Sequence, residues 1–148
     1  MIRISILPFN FSLHLSINEG QLIETEHDAI EYISKYINNN TAAIIIELIQ
    51  SGSGFKVASK KWIREIKKKC KIFKAKWIFD EIQTGFGRTG QIFALDTFQV
   101  IPDILCLAKG MGGGMPIGCF ISSKENMDTI KHQPKLGHIT TFGGHPVC

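Results

Sequence analysis

The sequence predicts an α/β protein in which a partial, mostly parallel sheet is flanked by helices. Three observations support this prediction. The run Ala42–Ile46 is continuously apolar and rich in β-branched residues, which is typical of a strand buried on both faces. Two further apolar runs, Trp77–Phe79 and Ile104–Ala108, follow along the chain. Between the first two runs, apolar residues recur at helical spacing, and strands that alternate with helices favour a parallel sheet.

Residues 1–40 carry the weakest signals and are assigned to no domain. Ile2–Phe9 is a candidate strand, with Pro8 near its end. Glu26–Ile37 is a candidate helix, because Ala29, Ile30, Ile33 and Ile37 share one helical face. The asparagines at 38–40 are expected to end that helix.

A basic helix is predicted after Ser59, which is a suitable N-cap residue. Trp62, Ile63, Ile66 and Cys70 would form its buried face. The lysines of the stretch Lys60–Lys76 would then lie on the outer face, either as an ordinary solvated surface or as a nucleic-acid patch.

The remaining elements follow the second and third strands. Ile92–Phe98 is a candidate short helix and Pro116–Ile121 a fourth strand. Ser122 or Ser123 is expected to cap a helix that runs through Ile130, and Lys131–Cys148 is predicted to be loop.

Composition places limits on the class of protein. The 148 residues carry a net charge of +4, and their 44% hydrophobic content is ordinary for a soluble globular domain. The four cysteines form no C-x-x-C pair, which indicates reduced thiols and a cytoplasmic location. The histidines lack metal-ligand spacing and no apolar run is long enough to cross a membrane, so neither a metal site nor a membrane partner is predicted.

Three predicted strands end in ionisable residues, namely Glu47, Asp80 and Lys109. Ligands of open parallel sheets bind outside the carboxyl ends of the strands, so these side chains are candidates for one site. An amine at such a position can bond to a carbonyl, and a carboxylate can keep the ring nitrogen of pyridoxal phosphate protonated. Hydroxyls and glycine amides such as those of Thr140–Gly144 suit a phosphate. The simpler alternative is that Lys109 points into solvent.

The motifs in this region resemble those of the class III pyridoxal-phosphate aminotransferases. Asp80–Gly90 is similar to the signature of that family, and Leu107–Gly110, Gly112–Gly118 and Thr141–Pro146 follow in the family's order. The resemblance covers about Thr41–Cys148 and is close to the acetylornithine and ornithine aminotransferase branch. It implies the large domain of fold-type I transferases, the cofactor pyridoxal 5'-phosphate and a homodimer.

The resemblance also implies roles for individual residues. Lys109 would be the Schiff-base lysine and would move the substrate proton, and Asp80 would pair with the pyridinium nitrogen. Ile82 would pack on the ring and Gln83 would bond near its hydroxyl. Thr141 would bind the phosphate held by the neighbouring subunit. Glu47 would pair with a substrate-binding arginine.

Each of these residues also has a structural interpretation. Asp80 could cap a turn, Gln83 could be a surface amide and Ile82 could belong to the core. Thr141 could bond its own backbone, and Glu47 could pair with a lysine.

The resemblance predicts an incomplete chain, in which residues 41–148 are part of the large domain and the family's N-terminal and C-terminal parts are absent. The complete enzyme would transfer an amino group from an ornithine-like or acetylornithine-like donor to a 2-oxo acid such as 2-oxoglutarate. The family's Glu-Pro-Ile-Gln-Gly is replaced by Glu47–Ser51, which relaxes the backbone there. We expect the isolated chain to be poorly soluble and inactive as a transaminase, and measured activity would contradict this.

Two other functions fit parts of the sequence. Gly85–Gly90 matches G-x-G-x-x-G and could belong to an NAD(P)-binding oxidoreductase, although that fingerprint should open a helix directly after a strand. The basic stretch Lys60–Lys76 could instead make the protein a non-catalytic binding module for nucleic acid.

Overall fold

The computed structural model describes residues 3–6, 26–131 and 139–148. The strands are β1 (Arg3–Ile6), β2 (Thr41–Ile46), β3 (Ile49–Gln50), β4 (Lys56–Val57), β5 (Lys76–Asp80), β6 (Ile104–Leu107) and β7 (Cys119–Ser122). The helices are α1 (Glu26–Tyr36), α2 (Lys60–Phe73), α3 (Leu95–Phe98) and α4 (Lys124–Thr129). The predicted α/β class, with a mostly parallel sheet and flanking helices, is confirmed.

The chain divides into two compact units, Met1–Trp77 and Ile78–Cys148. In the first unit β1 pairs with β2 in parallel, and α2 contacts both α1 and β2. The apolar β2 is almost fully enclosed, as its uninterrupted hydrophobic sequence requires. The core of this unit is formed by Ala29, Ile33, Ile37, Ala43, Ile44, Ile46, Leu48, Trp62, Ile63, Ile66 and Cys70.

Helix α2 begins where the sequence predicts. The Ser59 hydroxyl oxygen accepts a hydrogen bond from the Trp62 backbone N–H at 3.0 Å, which satisfies one of the free donors of the first turn. The four apolar residues of its predicted inner face are all buried. Most of the lysines of the predicted outer face are exposed, and the Lys67 ammonium lies 5.7 Å from the centre of the Trp77 ring. This arrangement agrees with the interpretation of the basic stretch as a solvated helix face.

The second unit is built on a parallel pair and an antiparallel pair. β5 and β6 run in parallel, with Asp80 opposite Cys106. β7 runs antiparallel to β6, with Cys119 opposite Leu107. Its core contains Phe79, Glu81, Ala94, Phe98, Val100, Leu105 and Leu107.

Several predicted boundaries in the second unit were wrong. The strand predicted over Pro116–Ile121 is Cys119–Ser122, because the preceding residues form a tight turn in which the Ile117 N–H bonds the Met115 carbonyl. The helix predicted over Ile92–Phe98 begins only at Leu95. Ser123, one of the two candidates, caps α4, which ends at Thr129. Residues 131 and 139–148 form neither helix nor strand, as predicted, and 132–138 lie outside the described residues.

The first unit departs from prediction in smaller ways. The candidate strand Ile2–Phe9 is a strand over Arg3–Ile6, and the rest of that range lies outside the described residues. The candidate helix Glu26–Ile37 ends at Tyr36. The short antiparallel pair of β3 and β4 was not predicted, because neither strand is long enough to show a period.

Candidate functional site

Asp80 and Lys109 lie at the same edge of the second unit's sheet. Asp80 is the last residue of β5, and Lys109 follows the end of β6 by two residues. Because β5 and β6 are parallel, their carboxyl ends meet at one edge. The predicted strand Ile104–Ala108 is one residue too long, and the Lys109 side chain is exposed.

The backbone of Lys109 adopts a conformation that side chains usually avoid. Its φ angle is +44°, and it begins a single 3₁₀ turn over Lys109–Gly112. The left-handed region costs a residue with a Cβ atom about 1–2 kcal/mol. The turn is held by a bond from the Met111 N–H to the Ala108 carbonyl at 3.0 Å. A lysine therefore occupies a position that glycine would fill with less strain.

Four of the predicted site residues are linked through one short turn after β5. The Asp80 Oδ1 atom accepts the Ile82 N–H at 3.0 Å, which is the turn-capping role named above as an alternative for Asp80. At the next residue in the chain, the Gln83 Oε1 atom accepts a hydrogen bond from the Lys109 Nζ atom at 3.2 Å. The turn thus carries a carboxylate at one end and holds the lysine amine at the other.

Glu81 is the residue of this region that the sequence did not reveal. Its side chain is fully buried, and its carboxylate accepts bonds from the Thr84 hydroxyl at 3.0 Å, the Ala94 N–H at 2.7 Å and the Leu95 N–H at 2.8 Å. The last two donors are the free amides at the start of α3, so Glu81 acts as a distant cap for that helix. The only signal in the sequence was an acidic residue directly after an apolar run. Such a residue usually marks an exposed strand end, so the signal does not reveal a buried carboxylate.

The glycine-rich loop packs against Glu81 and does not open a helix. The Gly85 N–H bonds the Glu81 carbonyl at 2.9 Å, and a Cβ atom on Gly85 would lie 2.9 Å from that oxygen. Only glycine allows this approach. Turns continue from Ile82 to Thr89, and α3 begins further along the chain. The context that a dinucleotide fingerprint requires is therefore not found here.

A cleft of about 790 Å³ lies beside Lys109. One wall comes from the loop residues Phe86, Gly87 and Arg88. The other comes from Lys109 and the turn that follows it. The two walls belong to the same unit.

The negative charge of the Asp80 carboxylate affects the thiol of Cys106, which lies opposite Asp80 on β6. Burial raises the pKa of the Cys106 thiol above its ordinary value, and the negative charge of Asp80 raises that pKa further, with a smaller contribution from Cys119. Replacing Asp80 with asparagine should therefore lower the pKa of Cys106, so that more thiolate forms at a given pH and alkylation accelerates.

This prediction can be checked with iodoacetamide and peptide mass spectrometry. The exposed Cys148 gives an internal reference rate, and Asp96→Asn is a matched control at an exposed site. If the rate at Cys106 relative to Cys148 were the same in Asp80→Asn and in the unmodified chain, Asp80 would not carry a charge next to Cys106.

Ile82 is half-buried within this turn, whereas two predicted site residues, Thr141 and Glu47, lie elsewhere in the chain. Thr141 is exposed and begins a turn closed by a bond from the Gly143 N–H to the Thr140 carbonyl at 3.3 Å. Glu47 belongs to the first unit, where it is half-buried directly after β2. The geometric link therefore joins Asp80, Ile82, Gln83 and Lys109.

Among residues 3–6, 26–131 and 139–148, no three histidine, cysteine, aspartate or glutamate side chains come close enough to bind a metal ion together. None of the helices in those ranges combines the length and the apolar character needed to cross a bilayer.

Comparisons of this chain with a family model, with sequence relatives and with solved structures all match aminotransferases. The model of the family "Aminotransferase class-III" matches residues 1–148. The acetylornithine aminotransferase of Methanopyrus kandleri is 39% identical over 119 residues, which cover 80% of this chain and 30% of that protein. The chain thus spans about a third of the length of the relatives it matches.

Solved structures agree with the sequence relatives. A transaminase from the marine bacterium Virgibacillus superposes with a TM-score of 0.74 at 29% identity, covering 83% of this chain and 29% of that one. The ornithine aminotransferase of Toxoplasma gondii gives a TM-score of 0.70 at 35% identity, covering 86% of this chain and 29% of that one. In that structure PLP partially occupies the active site.

Proposed function

Because this chain belongs to the class-III aminotransferase family, we propose that it supplies the cofactor-holding part of a pyridoxal-phosphate-dependent aminotransferase site. The observation that carries the proposal is the hydrogen bond between the Lys109 amine and Gln83, one turn from Asp80. Together they offer an amine, an amide and a carboxylate at one sheet edge. The PLP found in the Toxoplasma gondii relative makes this the expected cofactor.

The residues present fit that cofactor chemically. Pyridoxal phosphate supplies an aldehyde for an amine and an electron-accepting ring whose nitrogen needs a carboxylate. Lys109 has an exposed amine, and Asp80 has a carboxylate oxygen that accepts a single backbone N–H among its described hydrogen bonds. Neither group is locked into an ion pair with another side chain in the described parts of the chain.

Each residue then has a distinct task. Lys109 would hold the cofactor through its amine and, when free, would move a proton at the substrate α-carbon. Asp80 would keep a proton on the ring nitrogen. Gln83 would orient the lysine amine through the bond it already makes, and Ile82 would limit the space beside the ring. The exposed Thr141 would serve the phosphate of a neighbouring subunit in a homodimer.

The reaction we propose is transfer of an amino group from an ornithine-like or acetylornithine-like donor to a 2-oxo acid such as 2-oxoglutarate. The names of the relatives support this choice of donor. Glu47 would pair with a substrate-binding arginine. Residues 41–148 would be part of the large domain of the complete enzyme, and the enzyme would act in the cytoplasm.

The cofactor assignment can be tested without measuring activity. The chain is mixed with pyridoxal 5'-phosphate and treated with borohydride, which makes the bond between amine and aldehyde permanent. Peptide mass spectrometry then locates the label. We expect Lys109 to be labelled more than any other lysine, with the exposed lysines of α2 as the internal reference for nonspecific reaction. If Lys109 were labelled no more than the α2 lysines, the proposed role would be wrong.

A further inference from the structure

The cleft beside Lys109 contains a second cation to which the proposed function gives no role. Arg88 lines this cleft together with Phe86, Lys109 and the glycines Gly87, Gly110, Gly113 and Gly114. None of these lining residues is acidic. Two cations therefore face one concave surface that contains no compensating carboxylate.

Arg88 is available for a ligand. Its side chain is exposed, and within residues 26–131 and 139–148 it forms no ion pair or side-chain hydrogen bond. An arginine that stabilised the fold would be expected to contact a carboxylate or a carbonyl. Because the cations repel each other and draw counter-ions into the concave site, an anion bound between them lowers the electrostatic energy of the cleft.

The glycines leave room for such an anion. Gly87, Gly113 and Gly114 have φ angles of +89°, +55° and +102°, and a Cβ atom on any of them would meet no atom within 4 Å. The two walls come together at Gly110, where a Cβ atom would lie 3.5 Å from the Phe86 Cβ atom. The cleft thus combines an apolar contact point, an open glycine wall and two positive charges.

We propose that Arg88 binds one oxyanion, a carboxylate or a phosphate, of the ligand that reaches Lys109. The guanidinium group presents a planar pair of donors that matches both anions. One part of this inference, that the same ligand also reaches Lys109, rests on the proposed function. The binding of an anion by Arg88 itself does not depend on that function.

Chemical protection of Arg88 tests the inference. Phenylglyoxal modifies accessible arginines, and peptide mass spectrometry gives the rate at Arg88 and at the exposed Arg64 of α2 in the same sample. The two probes are inorganic phosphate and glutarate, which has two carboxylates and no carbonyl that could react with an amine. Chloride at equal ionic strength is the control. At saturation we expect either probe to slow modification of Arg88 about tenfold, because a charge-assisted pair forms, and to leave Arg64 unchanged.

The two probes separate the possible sources of the anion. Stronger protection by phosphate would indicate the phosphate group of the cofactor, and stronger protection by glutarate would indicate a substrate carboxylate. Both results support an oxyanion site at Arg88. The inference is overturned if neither probe protects Arg88, or if each slows Arg88 and Arg64 equally.

A variant keeps this test apart from the test of the proposed function. In Lys109→Ala the amine is removed, whereas Arg88 and the glycine wall remain. Protection of Arg88 should be weaker in that variant, because one of the two positive charges is gone, but it should persist. Complete loss of protection would overturn the assignment of the oxyanion to Arg88. If Arg88 is never protected while borohydride still labels Lys109, the oxyanion inference fails and the proposed function stands.

Discussion

We expect the replacement of Lys109 with alanine to abolish the saturable attachment of pyridoxal phosphate that borohydride fixes to the chain. The labelling that remains is the unsaturable reaction of exposed lysines such as those of α2. Lys109→Arg should give the same loss although it keeps a positive charge in the cleft, because a guanidinium does not condense with an aldehyde as an amine does. Total incorporation is measured by intact-mass spectrometry over a series of cofactor concentrations. Saturable incorporation that survives in both variants would assign the attachment to another lysine.

The same position tests whether the strain at Lys109 exists in solution. Its φ angle of +44° suits glycine better than any residue with a Cβ atom. Lys109→Gly should therefore be about 1 kcal/mol more stable than Lys109→Ala, while both lose the attachment. Urea unfolding followed by circular dichroism measures the difference. Equal stability of the two variants would mean that the left-handed conformation is not kept in the native state.

Replacing Glu81 with glutamine should lower the free energy of unfolding by about 3 kcal/mol. One carboxylate oxygen accepts the Ala94 N–H and the Thr84 hydroxyl, and the other accepts the Leu95 N–H. In either orientation of the amide, its NH₂ group faces a backbone N–H, so one buried donor loses its acceptor. The remaining bonds also lose the assistance of the negative charge.

Two controls make this experiment specific. Glu125→Gln changes an exposed acid in the first turn of α4 and should leave stability unchanged. Thr84→Val removes a single partner of Glu81 and should cost only about 1 kcal/mol. We also expect Glu81→Gln to weaken labelling of Lys109, since the turn that holds Gln83 loses its support. A stability change in Glu81→Gln no larger than that in Glu125→Gln would contradict the buried network.

The sequence predicted the elements whose signals are local. The β-branched run of β2 and the helical spacing of Trp62, Ile63, Ile66 and Cys70 identified buried elements directly, and the Ser59 cap was correct. The order of the strands also placed Asp80 and Lys109 at one edge, because parallel strands share their carboxyl ends. These predictions needed only periodicity and connectivity.

The features that were misplaced or were not predicted depend on tertiary contacts that local sequence patterns do not encode. The start of α3 is set by Glu81, which lies more than ten residues earlier, so no local signal marks Leu95. The antiparallel direction of β7 depends on how the chain turns after Gly112, which composition does not reveal. The pairing of Gln83 with Lys109 likewise joins residues that are far apart in sequence. Tertiary contacts determined all three.

The antiparallel return of β7 onto β6 has a consequence for how the site forms during folding. The segment between the two strands contains Lys109 and its 3₁₀ turn, so that segment is closed by contacts between near neighbours in the chain. Short loops close with little entropic cost and on fast timescales. The lysine-bearing wall therefore closes over a short loop, whereas its bond to Gln83 joins residues 26 apart in sequence and closes at a larger entropic cost.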